Sequence, residues 1–354
     1  MTTAFDPIQL NGLRLANRLV MAPMTRHRSY GPAHAPTAST VTYYSQRATA
    51  GLIITESTQP SVVGQGYPNT PGLHSEEQIT AWREVTDSVH ANGGKIFAQL
   101  MHAGRIGHPD TLPEGLVPVG PSPVPAKGQI RTADGLKDFL PPRELTGDEI
   151  WATIDDYAAA ARNAITAGFD GVELHGATGY LIHQFLAPNV NLRTDAWGGS
   201  VENRQRFLLE VVRAVAAEIG AGRTAIRLSP GAPYNDISEP DADTTYPELV
   251  RALEPFGLAY LHLVEDSRES TNVIRKLFSG PLLLNVKTDG HTTPDELTVI
   301  EEGVADMISL GGLFLANPDL PARLRAGGPY NTPDRDTYYV GADKGYIDYP
   351  TLDA

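Results

Sequence analysis

The chain has 354 residues, 41% of them hydrophobic and 20% charged, the profile of an ordinary globular protein able to bury a sizeable core, which argues against disorder. Its 28 basic and 42 acidic residues leave a formal charge of −14, which gives no general basic surface for nucleic acid or an anionic membrane. Cysteine is absent, so disulfides, thiolate metal sites and a cysteine nucleophile are excluded.

The N-terminus, Met1-Thr2-Thr3-Ala4-Phe5-Asp6, lacks a basic region followed by an apolar core, and no apolar run of about 18 residues occurs, so a cytoplasmic protein is expected. Ile8 to Leu15 alternates around Asn11-Gly12, a strong hairpin signal, and a hairpin this early often plugs one end of a barrel. Leu19-Val20-Met21-Ala22-Pro23 predicts a first buried strand, stopped by its proline and followed by Met24-Thr25-Arg26. A helix near 40–50, a strand at 52–55, a helix near 76–92 and a strand at 95–100 come next, and this alternation argues for a parallel sheet.

The segment from Arg105 to Arg143 breaks the rhythm with eight prolines, among them Pro109, Pro125 and Pro142. A linker between two domains is one reading. The rhythm resumes, however, with a helix at 148–167, a strand at 171–175 and a helix from Val201 capped by Ser200, which favours an excursion inserted into one barrel. Long excursions of this kind commonly serve as lids. Further strands at 224–228, 260–263, 282–286 and 307–310, each with a helix after it, bring the count to eight. The expected fold is an α/β (β/α)8 TIM barrel, one domain over 1–354 with an N-terminal β-hairpin and the excursion 105–145 over the mouth after strand 3. Barrels of this type span roughly 200 to over 400 residues. No Gly-x-Gly-x-x-Gly follows the first strand, and neither a Walker A loop nor HExxH occurs.

Chemistry in such a barrel sits at the C-terminal ends of the strands, and Thr25, Ser57, Gln99, His175 and Arg227 all lie at or just past them. His175 comes where its strand stops, and Gly176 to Tyr180 turns away, so the imidazole and the phenol can face one cavity. A hydrogen-bond donor beside a proton donor suits chemistry on a carbonyl compound. Each residue also has a structural reading: Tyr180 as core, His175 and His183 as satisfied buried histidines, Arg227 as an ion-pair partner. His74, His90, His102 and His108 show no carboxylate partner at ligand spacing, so no metal is expected.

The stretch with His175, Gly179-Tyr180, Gln184-Phe185-Leu186, Asn191, Arg193-Thr194-Asp195 and Gly198-Gly199-Ser200 resembles the old yellow enzyme family of flavin-dependent ene-reductases. The likeness extends to Ala22-Pro23-Met24-Thr25-Arg26, Gly66-Tyr67, Gln99 to Arg105, Ala316-Asn317-Pro318 and Gly345-Tyr346, leaving only the proline-rich excursion loosely matched. The resemblance implies a bound FMN whose ring lies over the barrel mouth, with Pro23, Met24, Thr25, Ser57, Gln99, His175 and Arg227 around it. NAD(P)H is then the hydride donor and an activated alkene the acceptor. Tyr180 would give the proton to the α-carbon, and His175 with Thr178 would grip the acceptor oxygen. Tyr67, Met101 and Tyr339 are expected to line the substrate pocket, Met101 replacing a bulky aromatic residue common at its place.

Two departures from the family pattern stand out. Thr178 takes the place of an asparagine or histidine, and losing one oriented donor can cost about 2.7–4 kcal/mol in the transition state. Gly311-Gly312 replaces a Gly-Arg pair, removing a guanidinium that would clamp phosphate. Backbone N–H groups of Gly290 and Gly312, with a helix N-terminus near Asn317, remain to cradle it, helped by Lys287 or His291 and opposed by Asp289 if that side chain points inward. FMN retention weaker than is usual for the family is expected. The leading function is an FMN-dependent, NAD(P)H-using oxidoreductase acting on a small unsaturated molecule, as a monomer or homodimer without nucleic-acid or membrane partners. The alternatives are a flavin-poor isomerase or cyclase that uses Tyr180 as an acid, and a non-catalytic binding protein.

Overall fold

Eight short parallel strands close into a barrel: β1 (Leu19–Met21), β2 (Leu52–Thr58), β3 (Ile96–Leu100), β4 (Gly171–Gly176), β5 (Thr224–Leu228), β6 (Leu261–Val264), β7 (Leu282–Asn285) and β8 (Met307–Leu310). This computed structural model describes residues 2–113, 115–290 and 292–352, so His291 lies outside it. Each strand pairs with its neighbours in sequence, and β8 returns to β1 with Ile308 opposite Leu19. The strands read as near-continuous apolar runs because the barrel interior covers one face and helices the other.

The main helices are α1 (Ala38–Ser45), α2 (Glu76–Ala91), α3 (Gly147–Thr166), α4 (Val201–Ile219), α5 (Ala242–Leu253), α6 (Arg268–Leu277), α7 (Thr298–Glu301) and α8 (Leu320–Ala326). Reciprocal capping boxes start α1, α2 and α3 at Thr37, Ser75 and Thr146. Such a cap contributes about 1 kcal/mol. Ser200 caps α4 by accepting from the Asn203 N–H, but the Asn203 amide turns away to donate to Gly198 O at 3.0 Å, so that box is only half formed. The first helix is shorter than its sequence pattern, since the chain leaves it at Gln46.

The N-terminal strands Ile8–Leu10 and Leu13–Leu15 form the expected hairpin, with Asn11 and Gly12 both at positive φ (39° and 101°), as a tight two-residue turn requires. Leu10 and Leu15 pack on Val20, Phe97 and Met307, and Asn11 Nδ2 donates to Gly257 O and Leu258 O, which plugs the N-terminal end of the barrel. At the other end the excursion between β3 and α3 carries an antiparallel hairpin, Gln129–Thr132 with Gly135–Asp138, and a short parallel pair, Val119–Gly120 with Arg143–Glu144. Among the described residues no helix is long and apolar enough to cross a membrane.

Candidate active site

The polar strand ends are joined by a buried chain of hydrogen bonds. Strand β2 runs past its sequence limit to Thr58 and shifts register between Ile54 and Ser57, an irregularity that brings Ser57 opposite Gln99. Ser57 Oγ donates to Gln99 Oε1 at 2.9 Å, and Gln99 Nε2 donates to Glu173 Oε1 at 2.8 Å. The other Glu173 oxygen meets His262 Nδ1 at 2.8 Å, with both side chains fully buried. Burial pushes the Glu173 carboxyl up, but His262, Arg227 and Gln99 outweigh it and hold it below its ordinary value. Burial also lowers His262, which stays neutral and uses its Nδ1–H for the carboxylate. Nothing local marks this pair, because Glu173 and His262 stand 89 residues apart.

Arg227, at the end of β5, keeps its charge although burial lowers its pKa. Its Nη2 donates to Asn285 Oδ1 at 3.3 Å, and its buried Nε has no protein partner. His175 is held well below its ordinary pKa by burial, with Arg227, His262 and His183 adding to the effect. It is therefore a neutral imidazole, with Nε2 facing Thr178 Oγ1 at 3.4 Å and Nδ1 unpartnered. Thr178 itself sits at φ 50°, so its short hydroxyl is turned to His175.

Tyr180 caps the short helix Leu181–Leu186, which begins the turn away from β4. Its ring lies edge-on to that of His175 at 5.0 Å, and its hydroxyl is 3.1 Å from that of Tyr67. Burial raises the Tyr180 pKa, and hydrogen bonds from Tyr67 and Asn235 work against the rise, so the group stays a protonated phenol. His183, by contrast, is a satisfied core residue: Nδ1 accepts from Gly179 N–H and Nε2 lies 3.1 Å from the Tyr246 hydroxyl.

A cavity of about 790 Å³, within the usual range for small-molecule sites, opens at Tyr180, while Ser57, Gln99, His175, Thr178 and Arg227 are not among the residues that line it. Pro23, Met24, Thr25, Tyr67, Tyr180 and Gly312 line it from the barrel, Tyr339 from the C-terminal segment, and Ile130, Arg131 and Leu136 from the excursion hairpin. Met101 does not line it; that side chain is 3% exposed and packed in the core, because its N–H follows the barrel ladder to Thr58 O and turns the residue inward. A second cavity of about 320 Å³ is bordered by Lys287, Thr288, Gly290, Gly311 and Gly312. Gly312 borders both, so a trough runs from the mouth to the loops after β7 and β8.

At that far end three expectations change. Lys287 Nζ is paired with Asp266 Oδ1 at 3.0 Å, which leaves its charge partly matched. Asp289 is exposed and stands outside the cavity lining. The helix N-terminus facing the trough belongs to Gly312–Ala316, and Asn317 ends that helix, with its side chain spent on Leu313 O and the Asn331 N–H. Elsewhere His90 does have a carboxylate partner, Asp170 at 2.9 Å, contributed by a residue distant in sequence, and His108 lies 3.5 Å from Asp110. Among the described residues no three His, Cys, Asp or Glu side chains gather as metal ligands.

A closed parallel barrel whose strand ends gather an amide, a guanidinium and a neutral imidazole, with a phenol against the imidazole, suits a flavin-binding oxidoreductase. The NADH:flavin oxidoreductase / NADH oxidase family model matches residues 3–331. Over 98% of its length the chain is 42% identical to the putative 12-oxophytodienoate reductase 11 of Oryza sativa subsp. japonica, covering 96% of that protein. It is 40% identical to 12-oxophytodienoate reductase 2 of Arabidopsis thaliana, covering 98% of this chain and 95% of that one. The old yellow enzyme homologue from Zymomonas mobilis superposes with a TM-score of 0.94 at 41% identity, over 99% of this chain and all of that one. Morphinone reductase superposes equally well at 40% identity, over 99% and 97% of the two chains. The chain belongs to this family: it is an FMN-dependent oxidoreductase of the old yellow enzyme type, an ene-reductase supplied with hydride by a reduced nicotinamide.

The residues present fit the ring of that cofactor better than its tail. The unpartnered Arg227 Nε and His175 Nδ1 suit a polar ring edge, whereas the tail end offers glycine backbone and one paired lysine. Sequence reasoning missed Asn235 and the hairpin residues Ile130 and Arg131, all of which line the main cavity. The Asn235-Asp236 dipeptide was a usable signal, since both residue types tolerate left-handed backbone.

Proposed function

We propose that this site reduces a carbon–carbon double bond conjugated to a carbonyl, nitro or related group, with Tyr180 as the proton donor. The observation that carries the reading is the protonated phenol of Tyr180, set in the main cavity beside a neutral His175 and bonded to Tyr67 at 3.1 Å. Bound FMN would supply the hydride chemistry, with NADH or NADPH as the source and the β-carbon of the alkene as the destination.

His175 holds the acceptor oxygen through a ring N–H, and its neutrality fits its surroundings, because a charged imidazolium would be repelled by the nearby Arg227. Thr178 tunes that imidazole through its hydroxyl and adds little direct grip. Thr25 and Gln99 would hold the polar edge of the flavin, with Ser57 and Glu173 fixing which way the Gln99 amide points. Arg227 supports negative charge on that edge. Pro23, Met24 and Gly311 shape the slot, while Gly290 and Gly312 leave room for the tail. Tyr67 and Tyr339 wall the substrate side. The chain works as one unit over 1–354, in the cytoplasm, as a monomer or homodimer, with the excursion 105–145 closing over the mouth.

The test is the colour of purified protein after reconstitution with FMN. A yellow solution bleached by NADH or NADPH and recoloured by an enone under nitrogen is the expected result. Turnover of an unsaturated ketone by flavin-free protein would instead support proton transfer alone, an isomerase or cyclase.

A further inference from the structure

The loop after β5 reaches the cavity in a backbone conformation uncommon outside glycine, which two residues adopt in succession. Asn235 (φ 53°, ψ 42°) and Asp236 (φ 59°) are consecutive non-glycine residues in the left-handed region, and both line the main cavity. Strain of this sort persists where the surroundings over-determine it, and it gathers at functional sites. Here the surroundings are plain. Arg105, 1% exposed on the loop after β3, donates from Nη2 to both Asn235 O and Asp236 O at 3.0 Å. Asn189 Nδ2 adds a bond to Asp236 O at 2.8 Å, and Arg105 Nη1 reaches Val124 O and Pro125 O, tying the turn to the excursion.

The clamp delivers one side chain to the proton donor. Asn235 Nδ2 donates to Thr178 O at 2.7 Å, and its Cβ presses so closely on Gly179 that a Cβ added there would lie 2.6 Å away. Gly179 immediately precedes Tyr180, and the Asn235 side chain lines the same cavity as the phenol. The phenol thus has the Tyr67 hydroxyl at 3.1 Å, and the Asn235 carboxamide is held beside it on the other segment of the cavity wall.

We propose that Asn235 is a positioning residue for Tyr180: locked by the Arg105 clamp, its amide donates to the phenol oxygen and stabilises the charge left there when the proton departs. The inference rests on the reading of Tyr180 as donor. In the step itself the Tyr180 O–H bond breaks and a C–H bond forms at the α-carbon as hydride reaches the β-carbon. The electron pair of the O–H bond stays on the phenolate, which water reprotonates. An oriented N–H at that oxygen is worth more to the phenolate than to the phenol, so it accelerates donation.

The experiment compares wild type, Asn235→Gly, Tyr180→Phe and the double variant, all loaded with FMN. Glycine accepts left-handed backbone without penalty, so Asn235→Gly keeps the turn and removes only the amide. It is expected to lower kcat with an enone about ten- to hundredfold, the loss of a hydrogen bond to a charged group. Its melting temperature and FMN content are expected to hold. The Tyr180 phenol, followed by NMR of ring-labelled tyrosine and assigned by its absence in Tyr180→Phe, is expected to titrate at higher pH. In the Tyr180→Phe background the second change should add nothing. An Asn235→Gly enzyme with unchanged kcat and titration overturns the proposal, as does an equal loss in both backgrounds. Undiminished turnover by Tyr180→Phe alone overturns the donor reading instead.

Discussion

Around Tyr180 each group is fixed by another, Tyr67 by the phenol, His175 by Thr178, and Asn235 by a backbone that Arg105 holds. At the opposite end of the trough Gly290, Gly311 and Gly312 offer no side chains, and the nearby lysine is paired with Asp266. The contrast separates two tasks. Proton delivery demands a donor oriented to within a fraction of an ångström, so it is built from interlocked side chains. Holding a tail requires only N–H groups and space, which backbone supplies, and the sequence there can drift at the cost of affinity.

Four changes would break or sharpen that contrast. Tyr180→Phe should cost the most, about 10²- to 10⁴-fold in turnover of an enone, the usual worth of a positioned general acid. Its FMN content should match wild type, and a loss of flavin would show that the two ends are not independent. Next, Glu173→Ala leaves the buried His262 and Gln99 without their shared partner. Leaving two buried donors unsatisfied costs about 1–3 kcal/mol each, to be measured by urea unfolding. A smaller loss would mean that the network under the ring is dispensable.

Gly312→Arg addresses the other end. A guanidinium there should tighten FMN about tenfold or more, measured by fluorescence titration of the apoprotein, since charge-assisted bonds to phosphate contribute about 1.5–3 kcal/mol. No gain would show that the backbone already saturates the tail. The smallest effect is expected from Arg131→Ala on the excursion hairpin. His27 lines the cavity with its pKa pushed down to about 4 by burial, with Arg28 and Arg131 adding to it. The folded protein thus binds fewer protons than the unfolded chain between its folded pKa and about 6.5, and it loses stability as pH falls through that window. Removing Arg131 should raise the His27 titration slightly, seen by proton NMR, and narrow the window. Superimposable titrations would place the hairpin away from His27 in solution.

Periodicity made the barrel legible: apolar runs of strand length alternated with capped helical stretches, and Asn11-Gly12 announced the plug. That His175 and Tyr180 face one another was read from the likeness of their turn to a family signature as well as from its spacing, and the two rings do meet at 5.0 Å. Less was visible where contacts join distant segments. Glu173 looked like a strand residue until His262 met it across the barrel, His90 showed no partner until Asp170 arrived, and Met101 proved to be core.

By itself, then, the sequence determined the strand and helix order and the polar groups at the strand ends, because each is carried by residues close together in the chain. Only the tertiary structure decided that Gln99 is oriented by Glu173, that Lys287 is matched by Asp266 and that a strained Asn235 stands beside Tyr180. Those facts depend on side chains brought together by barrel closure and on the desolvation that closure imposes, and neither is written in any local stretch of the chain.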